Sequence, residues 1–129
     1  MKQAIQDVTM FHEMTDMPVE HEPWPLTPER LELRWRLIDE EVNRELKPAM
    51  EAGDMVGIAD GIADSIYVLI GAALEYGIPL EKVWDAVQAA NMAKRDPVTG
   101  KVRRREDGKI LKPEGWQPPN IWRILRDAA

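Results

Sequence analysis

The sequence predicts an all-α protein with a single helical domain, and three observations lead to that prediction. Apolar residues recur every three or four positions over long stretches, which is the spacing of one face of an α-helix. Prolines, glycines and capping residues mark most of the ends of those stretches. The chain has 129 residues, enough for one compact domain and too few for two ordinary ones. We therefore expect one domain that covers residues 1–129.

The first two helices are separated by a proline-rich loop. A short amphipathic stretch over residues 3–14 precedes a loop that no helix crosses intact, because it contains Pro18, Pro23, Pro25 and Pro28. Thr27 is expected to act as an N-cap with Pro28 at the first helical position. The second helix then carries an apolar face from Leu31 to Ala49. Pro48 is expected to bend or end this helix near its last turn.

The third helix, about residues 55–76, is the most apolar part of the chain. Gly53-Asp54 supplies a turn and an N-cap before it, and Gly77 is expected to end it. A helix that is apolar around most of its circumference must be buried on most sides, yet a chain of this length has few other helices to cover it. We therefore expect a helical bundle whose core is completed by self-association, as a homodimer or a homotetramer.

The C-terminal third combines two helices with a basic segment. A fourth helix is expected over about residues 80–93, after which the helical period disappears. Residues 94–119, which we call the basic arm, are expected to form a loop or small hairpin with a tight turn at Glu106-Asp107-Gly108. Pro118-Pro119-Asn120 then caps a short last helix.

Charge is unevenly distributed along the chain. Between residues 94 and 112 there are eight basic and three acidic residues, a net charge of +5, which leaves −11 for the rest of a chain whose total is −6. The negative total argues against direct nucleic-acid binding. An anionic ligand bridged to an acidic site by cations would need both regions.

The chain contains no cysteine, which excludes thiolate zinc sites and cysteine nucleophiles and fits a reducing compartment. We see no signal peptide and expect no apolar stretch long enough to cross a bilayer. The expected location is therefore the cytoplasm, without a membrane partner.

Acidic side chains on two predicted helices are the main functional signal. Asp60, Asp64 and Tyr67 form one stripe on the third helix, where two carboxylates about 6 Å apart are costly unless a cation neutralises them. Glu41 and Glu45 lie at the edge of the apolar face of the second helix, and Glu40 points further out. An oxygen-only set of ligands suits magnesium or manganese and disfavours zinc. The alternative is that each set is a solvated helix face.

Two segments carry a resemblance to a known family. Residues 39–45, Asp-Glu-Glu-Val-Asn-Arg-Glu, and residues 59–67, Ala-Asp-Gly-Ile-Ala-Asp-Ser-Ile-Tyr, resemble the Glu-Glu-x-x-Glu motif and the acidic pair of the all-helical nucleoside triphosphate pyrophosphohydrolases. That family includes MazG-like proteins and phosphoribosyl-ATP pyrophosphohydrolase. Two departures are evident: the third glutamate of the first motif would fall on Arg44, and the partner of Asp64 would fall on Gly61. Either a one-residue shift in the helix or a lost ligand explains the arginine at position 44. Asp60 is expected to substitute for the acid that is missing at position 61.

The resemblance implies a MazG-like helical bundle that hydrolyses a nucleoside triphosphate to the monophosphate and pyrophosphate. It implies magnesium, or manganese, on Glu41, Glu45, Asp60 and Asp64, with Glu40 as a further ligand or, with Glu41, a catalytic base. Substrate-binding residues are expected to be Tyr67, Asn91, Lys94, Arg103, Lys109 and Lys112. Residues 91–94 and 105–112 resemble segments of phage-encoded members, which favours a purine and (d)GTP in dNTP metabolism, with the host cytoplasm as the location.

Two other functions remain open at this point. One is phosphoribosyl-ATP hydrolysis in histidine synthesis, and the other is a non-enzymatic helical interaction module. Among the remaining candidates, His12 and His21 are expected to be surface or loop residues rather than ligands. The aromatic residues Phe11, Trp24 and Trp35 are expected to serve the core rather than to stack on a base.

Overall fold

The computed structural model describes residues 1–129 and is mostly helical. Its α-helices are α1 (Lys2–Met14), α2 (Pro28–Asp39), α3 (Lys47–Ala52), α4 (Met55–Tyr76), α5 (Leu80–Met92) and α6 (Ile121–Ala128). A π-helical stretch, Glu40–Leu46, joins α2 to α3 without a break, and we call it the π segment. Two short antiparallel strands, β1 (Arg103–Arg104) and β2 (Ile110–Leu111), pair within the basic arm. The prediction of an all-α fold is confirmed.

The predicted capping residues explain where the helices begin. The Thr27 hydroxyl accepts a hydrogen bond from the Arg30 backbone N–H at 3.3 Å. The Asp54 carboxylate accepts one from the Gly57 N–H at 3.1 Å, and the Asn120 side chain accepts one from the Arg123 N–H at 3.1 Å. Each bond satisfies an N–H that the first turn of a helix leaves without a partner.

Pro48 does not end the second helix, which continues to Ala52. The π segment lies directly before this proline, and in it the Lys47 N–H bonds to the carbonyl of Val42, five residues back. A proline cannot donate to the preceding turn and crowds its carbonyl. A wider turn at this place relieves both problems, so the chain changes helix type instead of ending the helix.

The core lies along α4, which packs against α1, α2, α3 and the π segment. Its buried side chains include Ile70 and Ala73, and Ile70 lines the same groove as the buried Val8 of α1. In contrast, α5 packs mainly on α6 and does not run alongside α4 as an antiparallel neighbour. The fold within one chain is therefore a compact bundle with a C-terminal unit that extends from it.

A buried ion cluster fixes the C-terminal end of α4 to α2. Glu75 is 2% exposed and accepts hydrogen bonds at 2.8 Å from both Nε and Nη2 of Arg30. Arg34 lies 3.2 Å from the same carboxylate and donates to the Val68 carbonyl at 2.8 Å. Burial lowers the pKa of Arg34, and the charge of Glu75 opposes that shift. Gly71 makes room for the cluster, because a Cβ there would overlap the Arg34 guanidinium.

His12 belongs to the same region, so its expected place at the surface or in a loop is wrong. The ring is buried on α1, and its Nδ1 lies 2.9 Å from the Pro18 carbonyl oxygen. That contact ties the loop after α1 to the bundle. His21 is exposed in the loop, as expected.

Several large apolar residues that the sequence assigns to a core are exposed in a single chain. On α4, Val56 is 81% exposed, and Trp24, expected in the core, is 78% exposed. Phe11 and Trp35 are also exposed. By length and composition α4 could span a membrane, contrary to expectation, although the core helix of a soluble protein satisfies the same criterion. The apolar circumference of α4 is thus only partly covered.

Replacement of Glu75 tests the buried ion cluster. Glu75→Gln leaves two arginines without a counter-charge, one of them buried, and we expect it to lower the free energy of unfolding by about 3 kcal/mol, measured by urea denaturation. The matched control is Glu32→Gln, which removes the exposed Arg36–Glu32 pair and should change stability by less than about 0.5 kcal/mol. Equal effects in the two variants would show that the cluster does not anchor α4.

Candidate active site

Five carboxylates line a single cavity of about 570 Å³. Glu41 and Glu45 come from the π segment, Asp60 and Asp64 come from α4, and the fifth is Asp54, the N-cap of α4. Residues four positions apart on an α-helix lie on the same face, so α4 presents both aspartates toward the π segment. The volume is in the range of small-molecule sites. The two sets of acids that the sequence placed on separate helices are thus brought together.

The π segment accounts for the extra residue in the first motif. Its i→i+5 hydrogen bonds place one more residue in the turn than an α-helix holds. Glu45 consequently occupies the place that residue 44 would have in an uninterrupted α-helix. The sequence left two explanations open, a one-residue shift in the helix or a lost ligand. The π-helical backbone provides the one-residue shift, and Glu45 lines the cavity beside Glu41.

The second departure, glycine in place of an acid at position 61, has a packing cause. Gly61 is buried where α4 meets the π segment, and a Cβ there would lie 3.0 Å from the Leu46 Cα. A glutamate has no room at that contact. Asp60, one residue earlier, lines the cavity instead.

The cavity concentrates negative charge around Glu41. Its pKa is raised, first by burial and then by the charges of Asp64, Glu40, Glu45 and Asp60. Such repulsion is relieved when a cation is bound, and an all-oxygen donor set fits a hard divalent ion such as magnesium. As the side chains stand, no three of them are arranged as ligands of one ion. Cation binding would therefore require the carboxylates to turn inward.

Two other residues near the cavity differ from the sequence-based picture. Glu40 is exposed and lies outside the cavity, in a neighbouring surface depression with Asp39 and Arg44. The sequence analysis considered Arg44 only as the residue found where the motif has its third glutamate. In the structure Arg44 lines the cavity and forms an ion pair with Asp39 at 3.3 Å.

Tyr67 follows Asp64 by one turn but does not line the carboxylate cavity. Its ring packs edge to face on Phe11, with centroids 5.6 Å apart. Together with Val8 and Ile70, it lines an apolar groove of about 250 Å³ between α1 and α4.

The residues expected to bind phosphate form two groups, and neither lines the carboxylate cavity of the same chain. Lys94 donates to the Asn91 side chain at 3.0 Å. The ammonium groups of Lys94 and Lys112 lie 5.4 and 4.5 Å from the centroid of the Trp116 ring. Arg103 and Lys109 lie on the hairpin of the basic arm, both exposed.

Comparison with known proteins identifies the family. Residues 8–91 match the family model described as phosphoribosyl-ATP pyrophosphohydrolase, which is well over half of the chain and includes every carboxylate of the cavity. The chain belongs to the phosphoribosyl-ATP pyrophosphohydrolase family. It is therefore a pyrophosphohydrolase, an enzyme that hydrolyses phosphoanhydride bonds, and not a non-enzymatic module. A comparison with curated proteins gives no match. The family match ends before the basic arm and α6.

Deletion of Asn43 tests whether the π segment carries one inserted residue. The deletion produces Glu-Glu-Val-Arg-Glu, the spacing of the family motif, so we expect the turn to become α-helical while all three glutamates keep their places. Pyrophosphate release should stay within about tenfold of the parent rate, well short of the loss expected when a stabilising charge is removed.

The matched control is deletion of Arg36 from the α-helical part of the same helix. It rotates Arg30 and Arg34 by about 100° relative to the rest and should unfold the protein at a much lower temperature. If both deletions are equally damaging in activity and thermal unfolding, the π segment is not a tolerated insertion.

Neutralisation of Asp64 should stabilise the protein in the absence of metal. The pKa of Glu41 is raised above its ordinary value of 4.5, so stability that is present in acid is lost as the pH rises through the raised pKa. Asp64 is the first of the charges that cause this loss. In chelator, Asp64→Asn should therefore unfold at a higher temperature than the parent near neutral pH, with the difference shrinking in acid. A difference independent of pH would contradict the charge explanation.

Proposed function

We propose that the protein hydrolyses a purine nucleoside triphosphate, preferably (d)GTP, to the monophosphate and pyrophosphate. The observation that carries this proposal is the convergence of Glu41, Glu45, Asp60 and Asp64 on one cavity in a member of a pyrophosphohydrolase family. The preference for guanine is supported by the resemblance of residues 91–94 and 105–112 to phage-encoded enzymes, and it would place the reaction in dNTP metabolism.

The cavity residues are suited to hold magnesium or manganese. Glu41, Glu45, Asp60 and Asp64 would provide the oxygen ligands, and Glu40 lies close enough to repel Glu41 and thus to contribute from the rim. When bound, the ion supplies Lewis acidity and neutralises phosphate charge. The cavity offers carboxylate oxygens and has no sulfur or imidazole group in its lining. Oxygen donors are the ligands that magnesium and manganese prefer.

The chain's own carboxylates would also orient and deprotonate the attacking water. Glu41 lines the cavity, whereas Glu40 is exposed outside it, so the geometry favours Glu41 as the proton acceptor with Glu40 as an auxiliary group. Proton transfer to a positioned carboxylate accelerates hydrolysis. Arg44 adds a positive charge at the same cavity, where it can contact a phosphate oxygen.

The groove beside Tyr67 is the best place in one chain for the base. Tyr67, which lines the groove, follows Asp64 by about one helical turn, and the walls of the groove are apolar except for Asp7. Flat apolar surfaces and aromatic side chains bind purine rings by burial and stacking. A nucleoside triphosphate whose phosphates are bound near Asp64 could place its base in this groove. This supports Tyr67 as a substrate-binding residue.

Phosphoribosyl-ATP is the second candidate substrate, because that activity describes the matched family. It is also a purine triphosphate, and its hydrolysis gives a monophosphate and pyrophosphate. Either reaction requires a carboxylate-lined site that accepts a triphosphate.

We further propose that the enzyme acts on free nucleotides in the cytoplasm, or the host cytoplasm, as a homodimer or homotetramer. The absence of cysteine and the net charge of −6 support a cytoplasmic location without nucleic-acid binding. The exposed apolar residues of α4 support self-association.

A product assay tests the proposed reaction. The common NTPs, the common dNTPs and phosphoribosyl-ATP are each incubated with magnesium and with manganese, and products are separated by ion exchange. We expect monophosphate and pyrophosphate in equal amounts, fastest from dGTP or GTP, because the carboxylate site directs water to the α-phosphorus. In isotopically labelled water the label should appear in the monophosphate.

Two variants control this assay. Asp64→Asn should lower turnover at least about a hundredfold, the usual effect of losing one strong electrostatic contact. Glu13→Gln, an exposed carboxylate on α1, should leave turnover unchanged. Release of orthophosphate and a diphosphate would place the attack at the γ-phosphorus and refute the proposal, and fastest turnover of phosphoribosyl-ATP would replace the substrate.

A further inference from the structure

Arg44 is the only basic residue that lines the carboxylate cavity. Five acidic side chains share that lining, so the acids outnumber the arginine by five to one. The cations of the basic arm do not line the cavity. Any positive charge that this chain places in the wall of the cavity therefore comes from Arg44.

The extra residue of the π segment is what brings this arginine to the cavity. In an uninterrupted α-helix with the family spacing, the arginine would follow Glu41 by two positions, which is about 200° around the helix axis and faces away from it. In the π segment Arg44 follows Glu41 by three positions and directly precedes Glu45, and all three side chains line the cavity. The insertion therefore adds a cation to the cavity and keeps the glutamate.

The guanidinium of Arg44 is held at one edge and free at the other. Its Nε donates to Asp39 Oδ2 at 3.3 Å, and the Asn43 side chain donates to the other oxygen of the same carboxylate at 2.8 Å. The hydrogen bond from Asn43 is also the main reason that the pKa of Asp39 is lowered. Neither Nη group of Arg44 has a hydrogen bond or an ion pair. Adjacent N–H donors of one guanidinium are the arrangement that binds two oxygens of a phosphate.

Arg44 also lies where a small movement changes its partner. It lines the carboxylate cavity and the neighbouring depression that contains Asp39 and Glu40, and its side chain is 76% exposed. An exposed ion pair contributes little to stability. The guanidinium can therefore turn from Asp39 toward an anion in the cavity at little cost.

We propose that Arg44 binds the pyrophosphate portion of the substrate and, through its positive charge, makes binding of the metal ion depend on binding of that anion. Like charges repel, so Arg44 opposes a divalent ion that enters the carboxylate cavity alone. A phosphate anion attracts both cations and removes this opposition. The inference rests on the proposed function in one respect, since it takes the carboxylate cavity as the metal site. It does not depend on which base the substrate carries.

Two equilibrium affinities of the variant Arg44→Gln test the proposal by titration calorimetry. One is the affinity for manganese alone, and the other is the affinity for inorganic pyrophosphate in excess magnesium. Pyrophosphate should bind about tenfold more weakly than to the parent, because hydrogen bonds from a charged donor are lost. Manganese alone should bind about threefold more tightly, because a like charge is removed from the cavity. Damage to the fold would weaken both affinities, so the opposite signs identify the role of Arg44.

Two further variants complete the test. Arg36→Gln removes an exposed arginine that lines only the neighbouring depression, and it should change either affinity by less than about twofold. Arg44→Lys keeps the charge without the paired donors, so manganese should bind as in the parent and pyrophosphate with intermediate affinity. An unchanged pyrophosphate affinity in Arg44→Gln, or a loss of both affinities, would overturn the proposal. Neither affinity requires turnover, so a parent that releases no pyrophosphate in the product assay would refute only the proposed function.

Discussion

The close approach of the π segment to α4 is the contact on which the arrangement of the site depends. Gly61 lies against Leu46 because no Cβ fits between the two backbones. That contact brings Glu41 and Glu45 into the same cavity as Asp60 and Asp64. The inserted residue and the missing acid are therefore linked. The extra residue changes the helix type, the changed helix packs against α4 at Gly61, and the acid lost there is replaced by Asp60.

The two halves of α4 have opposite electrostatic character. Near its C-terminal end, Glu75 is neutralised by two arginines of α2, which fixes the angle between the helices. Eleven residues before Glu75, roughly 16 Å along the helix, lies Asp64, and Asp60 lies one turn further away. These two aspartates line a cavity with two glutamates, where Arg44 is the one basic residue. Repulsion at one half is tolerated because the other half is anchored. Active sites are commonly the places where such unfavourable charge is concentrated.

The sequence by itself determined the helices, their caps and the identity of the acids. Thr27, Asp54, Asn120 and Gly77 mark helix ends through local hydrogen bonds and a positive φ, which depend on neighbours in the chain. Only the tertiary structure decided that Glu45 lines the same cavity as Asp60 and Asp64 and that His12 is buried, because both depend on contacts with α4. The exposure of Trp24 and Trp35 and the separation of the arm from the acids were also undetermined by sequence. Periodicity shows which face of a helix is apolar, but it does not show which surface, in the same chain or in a second copy, covers that face.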